Sequence, residues 1–451
     1  MSLSRRHALS SLALAATAAT LPTSRAAAGF GDHAEPLTAP VGIAPRTLAR
    51  DEVFWGKVAG QFTVGTRFIN LENGYYGIMP APVYAEYERQ TRRLNETNSY
   101  LLRGAWKSTE YDHARARVAE AAGTGPEEIA LTRCGTEALQ NLIAGYSRLR
   151  PGDAVMYSTL DYHSAIYAMN WLQDRRGVDV ISFEPPEPHT RQGILDEYTR
   201  QLRRHPNVRL LLLTHMNNRT GLICPIPELT ALARRHGAET IVDAGHSFGQ
   251  FDFRLPDLGS DFVACCLHKW THAPLGAGFL YIRANRLPDI DRCYRDETFP
   301  SDDIRTRVHS GTTNIAPFLT LPTAFDLHEA IGVANKQARL QYLRDRWVHP
   351  VRHLENIEIL TPDDPAMYGA ITGFRVKGRT TKKDNESIVQ YLMDTHRIFT
   401  VCKSGSPGGE CIRVTPALFT RTRHIDRLVE AIHDINRKFG PSAGFTAKSR
   451  L

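Results

Sequence analysis

Between residues 129 and 282, short apolar runs alternate with longer amphipathic stretches, and that rhythm leaves the chain few folds to choose from. The apolar runs are Ile129 to Thr132, Ala154 to Ser158, Val178 to Phe183, Arg209 to Thr214, Thr240 to Val242, Phe262 to Cys266 and Phe279 to Ile282. Helical spacing fills the gaps, as in Glu137 to Tyr146, Ile166 to Arg175 and Pro227 to His236. Strands that alternate with helices of this length predict an α/β fold: a mainly parallel sheet covered on both faces. Such sheets bind ligands outside the carboxyl ends of their strands. The residues that directly follow each apolar run are therefore the first candidates for chemistry.

The rest of the chain divides around this block. Residues 61–325 are expected to form a large domain and residues 326–445 a smaller α+β domain. The smaller domain opens on a helix-rich stretch from Phe325 to Val348. Strands follow near Gly373 to Val376, Ile398 to Cys402 and Cys411 to Val414, and a closing helix runs from His424 to Lys438. Residues 29–60 read as a linker or loosely packed arm, because the first part of that stretch is polar and rich in proline.

Residues 1–28 read as a targeting segment. Ser4-Arg5-Arg6 precedes an Ala-rich, weakly apolar run from Ala8 to Leu21, and Ala26-Ala27-Ala28 offers a small-residue cleavage site. Paired arginines with modest hydrophobicity point to the twin-arginine route, which carries folded, cofactor-loaded proteins to the periplasm or beyond. That run is too short and too polar for a permanent membrane anchor. The formal net charge of +7 falls to about +4 without this segment, which holds three arginines and no acid. Acids and bases are interleaved throughout, so the charge gives no footprint for nucleic acid. Seven cysteines, an odd number without CxxC spacing, argue for buried thiols over disulfides or a zinc site.

Four elements carry the chemistry. Lys269 lies just after the run ending at Cys266, in Cys266-Leu267-His268-Lys269-Trp270. Apolar surroundings favour a neutral amine, the form that condenses with an aldehyde. Asp243 ends another run, and Ala244-Gly245-His246 follows it. A carboxylate there is placed to pair with a pyridinium nitrogen, although capping a helix explains it too. Thr132-Arg133-Cys134-Gly135-Thr136-Glu137 joins a strand to a helix, and free N–H groups at the helix start suit a phosphate. A simple cap at Thr136 fits the same residues. Tyr162, in Asp161-Tyr162-His163-Ser164, offers an aromatic face to a flat ring or to the protein interior.

In this order the four elements resemble the class V aminotransferase family, fold type I of the pyridoxal-phosphate (PLP) enzymes, over about residues 66 to 436. The resemblance favours the isopenicillin-N epimerase-like branch. It implies PLP as cofactor, with Lys269 as the catalytic lysine that carries it. Asp243 then matches the pyridinium partner, His246 the residue at the phenolic oxygen and Tyr162 the stacking position. Gly135, Thr136 and His268 match phosphate-cup positions, and Asn218 an asparagine beside the cofactor. Thr312, in Gly311-Thr312-Thr313-Asn314, matches a threonine that reaches the neighbouring subunit's phosphate, which implies a homodimer with shared active sites. Arg413, in Cys411-Ile412-Arg413-Val414-Thr415-Pro416, matches an arginine that grips the substrate carboxylate. Two departures stand out: Cys266 where many relatives have serine, and Cys134 where they have glycine.

The stretches Asn70-Leu71-Glu72-Asn73-Gly74-Tyr75-Tyr76-Gly77 and Asn98-Ser99-Tyr100 are similar to exported members of the family that tailor pyoverdine siderophores. The expected function is transamination or oxidative deamination/decarboxylation of an amino acid or peptidyl amino acid that bears a carboxylate. A C–S lyase or cysteine desulfurase activity, an epimerase-like racemase and a non-catalytic PLP-fold protein are the alternatives. No cysteine falls convincingly at a desulfurase nucleophile position, since Cys402 lies on a strand run and Cys411 is two residues from Arg413.

Overall fold

The computed structural model describes residues 37–309, 311–405 and 408–440. Residues 1–28, the first residues of the expected arm and residues 441–445 of the expected small domain lie outside that range. The described residues fall within one compact unit.

Among the described residues, thirteen strands form three sheets. In chain order they are β1 (Ile69–Asn70), β2 (Ile129–Thr132), β3 (Ala154–Ser158), β4 (Asp179–Phe183), β5 (Val208–Thr214), β6 (Glu239–Asp243), β7 (Phe262–Cys266), β8 (Gly278–Ile282), β9 (Ile357–Ile359), β10 (Thr372–Val376), β11 (Ile398–Phe399), β12 (Val401–Lys403) and β13 (Cys411–Val414). The seven apolar runs all become strands of one sheet, in the order β2-β8-β7-β6-β5-β3-β4. Strands β3 to β7 pair in parallel, and β8 is antiparallel to both its neighbours. Because β8 alone is reversed, β2 points the same way as β7. The carboxyl ends of β2, β3, β5, β6 and β7 therefore share one edge.

Both faces of this sheet are buried, which is why its strands are apolar throughout instead of alternating. Leu211 and Leu213 face one layer together with Val118 and Phe279, and Leu210 and Leu212 face the other with Leu142 and Phe262. Helices Gly135–Gly145 and His163–Arg176 cover the second face, and Thr109–Ala122 and Ile226–Arg235 the first.

The smaller sheet is antiparallel, in the order β12-β13-β10-β9. Its core gathers Phe374 and Ile412 with Trp347 and Leu343, and with Ile432 of helix Thr422–Phe439. The helix-rich stretch from Phe325 to Val348 comprises two helices, Leu321–Ile331 and Val333–Val351. Gly332 separates them at φ +82°, a backbone conformation costly for any residue with a Cβ. Strand β1 pairs in parallel with β11, so a segment from before the large sheet becomes part of the smaller layer.

The arm is tighter than its composition implied. Residues Pro45–Leu48 and Glu52–Gly60 are helical. Trp55 is fully buried, and its indole N–H donates to the Leu48 carbonyl at 2.7 Å. It packs in a cluster with Met216, Phe251 and Trp270, the residue after Lys269. Large aromatics truncated in cores cost about 3–5 kcal/mol. Trp55→Ala is expected to lose stability on that scale, read as a lower urea midpoint.

Candidate active site

The shared strand edge opens into a cavity of about 330 Å³, within the range of about 300–1,000 Å³ typical of small-molecule pockets. Lys269, Asp243, His246, Tyr162, Gly135, Thr136, His268, Asn218 and Arg413 all line it. Strand ends deliver eight of these nine: residues after β2, β3, β5 and β7, and the end of β6 with the turn beyond it. Arg413 comes from β13 of the smaller sheet. Thr312 is exposed and is not among the residues that line this cavity.

Lys269 Nζ lies 3.0 Å from His246 Nε2. Burial, reinforced by the charge of Lys269, holds the His246 imidazole well below its ordinary pKa, so the ring is neutral and its Nε2 can accept a hydrogen bond from Lys269 Nζ. Its other ring nitrogen, Nδ1, is buried with no hydrogen-bond partner among the described residues. Burial also pushes the Asp243 carboxyl up, against the pull of Lys269 and of the Gly245 N–H, which donates to Oδ1 at 2.8 Å. A carboxylate in that state gains from a cationic N–H set opposite it. At the other end, Gly135 opens its helix and its N–H donates to Cys266 Sγ at 3.3 Å. Burial lowers the pKa of His268 to about 4, so this ring is neutral as well.

The loop that bears Lys269 is clamped from behind. The Gly77 N–H donates to the His268 carbonyl at 2.9 Å. A Cβ on Gly77 would stand 2.0 Å from the Lys269 carbonyl oxygen, so only glycine permits this approach. Asp161, buried near the Tyr162 turn, accepts from the Ser158 N–H at 2.8 Å, and burial raises its pKa to about 6.

Several cavity residues were not expected from sequence. Gly74 and Tyr75 come from the loop after β1, Lys403 from β12, and His163, Met216 and Leu275 from strand-end loops. Glu72 stands behind Arg413 as its ion-pair partner. Strand alternation was the available signal for Lys403, which pairs with Cys411 in register and so shares a face with Arg413. Nothing local ties Glu72 to Arg413, which is 341 residues away.

Strand-end lysine, buried aspartate, neutral histidines and an N-terminal helix turn around one cavity are the parts a PLP enzyme needs, and the comparisons agree. The family model for class-V aminotransferases matches residues 79–411. The chain belongs to that family, and PLP is its cofactor. It is similar to isopenicillin N epimerase from Streptomyces clavuligerus, 27% identical over 400 residues, 84% of this chain and 97% of that protein. A probable cysteine desulfurase from Methanothermobacter thermautotrophicus is 28% identical over 308 residues, 65% of this chain and 74% of the other.

Among solved structures, the apo cysteine desulfurase from Thermococcus onnurineus NA1 superposes with a TM-score of 0.72 at 19% identity, covering 84% and 97% of the two chains. A C-DES variant with glycine covalently linked to its PLP cofactor gives 0.71 at 21%, covering 83% and 98%. These likenesses establish fold type I.

Displacing reacting groups by about 1 Å costs on the order of 100-fold in rate. Gly77→Ala, which must push the Lys269 loop away, is expected to lose turnover on that scale and to weaken the visible cofactor band. Circular dichroism should show the fold retained.

Proposed function

We propose that the protein transaminates, or oxidatively deaminates or decarboxylates, an amino acid or peptidyl amino acid that bears a carboxylate, in the tailoring of a secreted siderophore-type peptide. The observation that carries the reading is the assembly of Lys269, Asp243 and His246 in one cavity that also holds Arg413 and Lys403. Export by the twin-arginine route and a homodimer in which Thr312 completes the neighbour's phosphate site belong to the same proposal. The N-terminal pattern and the exposure of Thr312 support them.

When bound, PLP supplies an electron sink for negative charge developing at the substrate Cα. The chain's residues set up that chemistry. Asp243 would face the ring nitrogen and keep it protonated. Tyr162 would cover one ring face, and His246, through its unpartnered nitrogen, would meet the phenolic oxygen. Gly135, Thr136 and His268 would hold the phosphate, and Asn218 would lie beside the ring. Lys269 would hold the cofactor and would supply the amine that moves a proton to or from Cα. Its contact with the neutral His246 steadies the amine for that transfer.

Cys411, Cys402 and Cys266 argue against a desulfurase. Cys411 is buried, and burial pushes the Cys402 thiol up to about 11 and the Cys266 thiol upward as well. A persulfide carrier needs the opposite, an exposed thiol that ionises readily. The similarity to isopenicillin N epimerases does favour a second reading, epimerisation at the same carbon.

An amino-donor screen separates the two readings. Transamination consumes the amino group, shifts the near-UV and visible cofactor bands and changes the product's mass. Epimerisation leaves the amine in place and takes one solvent deuterium at Cα. No mass change on siderophore-type peptides or free amino acids would sink the transamination reading. Lys269→Ala is expected to abolish turnover and to leave no cofactor fixed by borohydride reduction, measured by intact-protein mass.

A further inference from the structure

Arg413 does not enter the cavity as an unused cation. Its side chain is 3% exposed and that of its partner Glu72 6%. Nε and Nη2 grip the two carboxylate oxygens of Glu72 as a fork, and Nη1 donates to the Asn218 carbonyl at 2.6 Å. Three of its five N–H groups are thus committed inside the protein. Gly74 lies flat on the guanidinium, since a Cβ there would stand 2.8 Å from Cζ. The segment that brings Glu72 is itself fixed: Asn73 Nδ2 donates to the Thr415 carbonyl at 2.9 Å, and the Thr415 N–H donates to the Leu71 carbonyl at 2.7 Å. The pair is a buried, internally neutral strut.

Two other cations stand at this end of the site. Arg219 donates to the carbonyls of Thr159 at 2.6 Å and Gly405 at 2.8 Å, so it braces loops. Lys403 lines the cavity, diagonal to Arg413 on one face of the smaller sheet, and forms no ion pair among the described residues. Arg219 is set near two acids of its own, Asp161 and Glu410, whereas Lys403 and Arg413 share Glu72, and the excess positive charge is exposed to the cavity at Lys403.

The geometry points to Lys403 as the residue that recognises the substrate's carboxylate, with the charge of Arg413 balanced by Glu72 and only its remaining N–H edge on offer. This deepens the proposed function and rests on it for the identity of the site. Burial lowers the pKa of Lys403 to about 8, with Arg413 and Arg219 pushing the same way and Glu72 and Cys411 opposing. Recognition is thus complete below that pH and fades as pH rises through it.

The test is binding, not turnover. Succinate and acetate are titrated into the PLP-loaded protein at neutral pH, and the shift of the visible cofactor band is read. A hydrogen-bonded charge lost from such a contact costs roughly tenfold or more in affinity. Lys403→Met is expected to weaken succinate binding to that extent with its cofactor band intact. Lys403→Arg is expected to keep the affinity and to remove its decline above about pH 8. Unchanged affinity in Lys403→Met overturns the inference, as does a wild-type affinity that stays level through that pH. The titration needs no reaction, so a failed amino-donor screen and a failed titration are separate results.

Discussion

Six strands that run in one direction end at one edge, five of them beside the cavity, and the site depends on that convergence. Where a parallel ladder stops, its last residues face no further strand, and each chain must turn into a loop or a helix. β6 ends on Asp243 itself, β7 three residues before Lys269, and β2 three before Gly135. Registered pairing places Thr214 opposite Asp243 and Thr132 opposite Gly278, which in turn faces Cys266. Because the strands are buried on both faces, a slip in register would move apolar side chains into a packed layer and misplace every catalytic group together. The spacing of the site is therefore as rigid as the sheet.

The second layer supplies what a sheet edge cannot. Strand ends bring a lysine, acids, histidines and free N–H groups, but no cation able to meet a substrate anion far from the phosphate. β12 and β13 supply Lys403 and Arg413. One segment, residues 69–77, binds the layers together. It pairs with β11, bonds to Thr415, neutralises Arg413 through Glu72 and reaches the Lys269 loop through Gly77. A single stretch thus touches both the carboxylate end and the lysine end of the cavity.

Much of this was legible in the sequence, for identifiable reasons. Strands buried on both faces are continuous apolar runs, so all seven could be read within a residue or two at each end, and the site residues followed from their ends. The polar arm was misjudged because residues 29–50 hide the anchoring aromatics, Phe54 and Trp55, that follow immediately after. Within the helix-rich stretch, Gly332 at positive φ divides two helices. Long-range ion pairs were out of reach altogether: Glu72 has no local partner, and what makes it matter is a parallel pairing of β1 with β11 that no periodicity announces.

The electrostatics of the cavity then follow from where water is excluded. Asp243 and Asp161 are buried acids whose pKa values burial raises, and His246 and His268 are buried bases whose values burial lowers. Each group is driven toward its neutral form, so this end of the site has little fixed charge until a cationic ring nitrogen gives Asp243 a counter-ion. At the opposite end the pairing of Arg413 with Glu72 achieves neutrality by compensation instead of by protonation. Removing either partner would leave a buried, unpaired charge, which costs far more than the pair itself contributes. That asymmetry makes the pair a poor place for a substrate to intrude. It leaves the half-buried ammonium of Lys403 as the charge that a carboxylate can reach without breaking anything first.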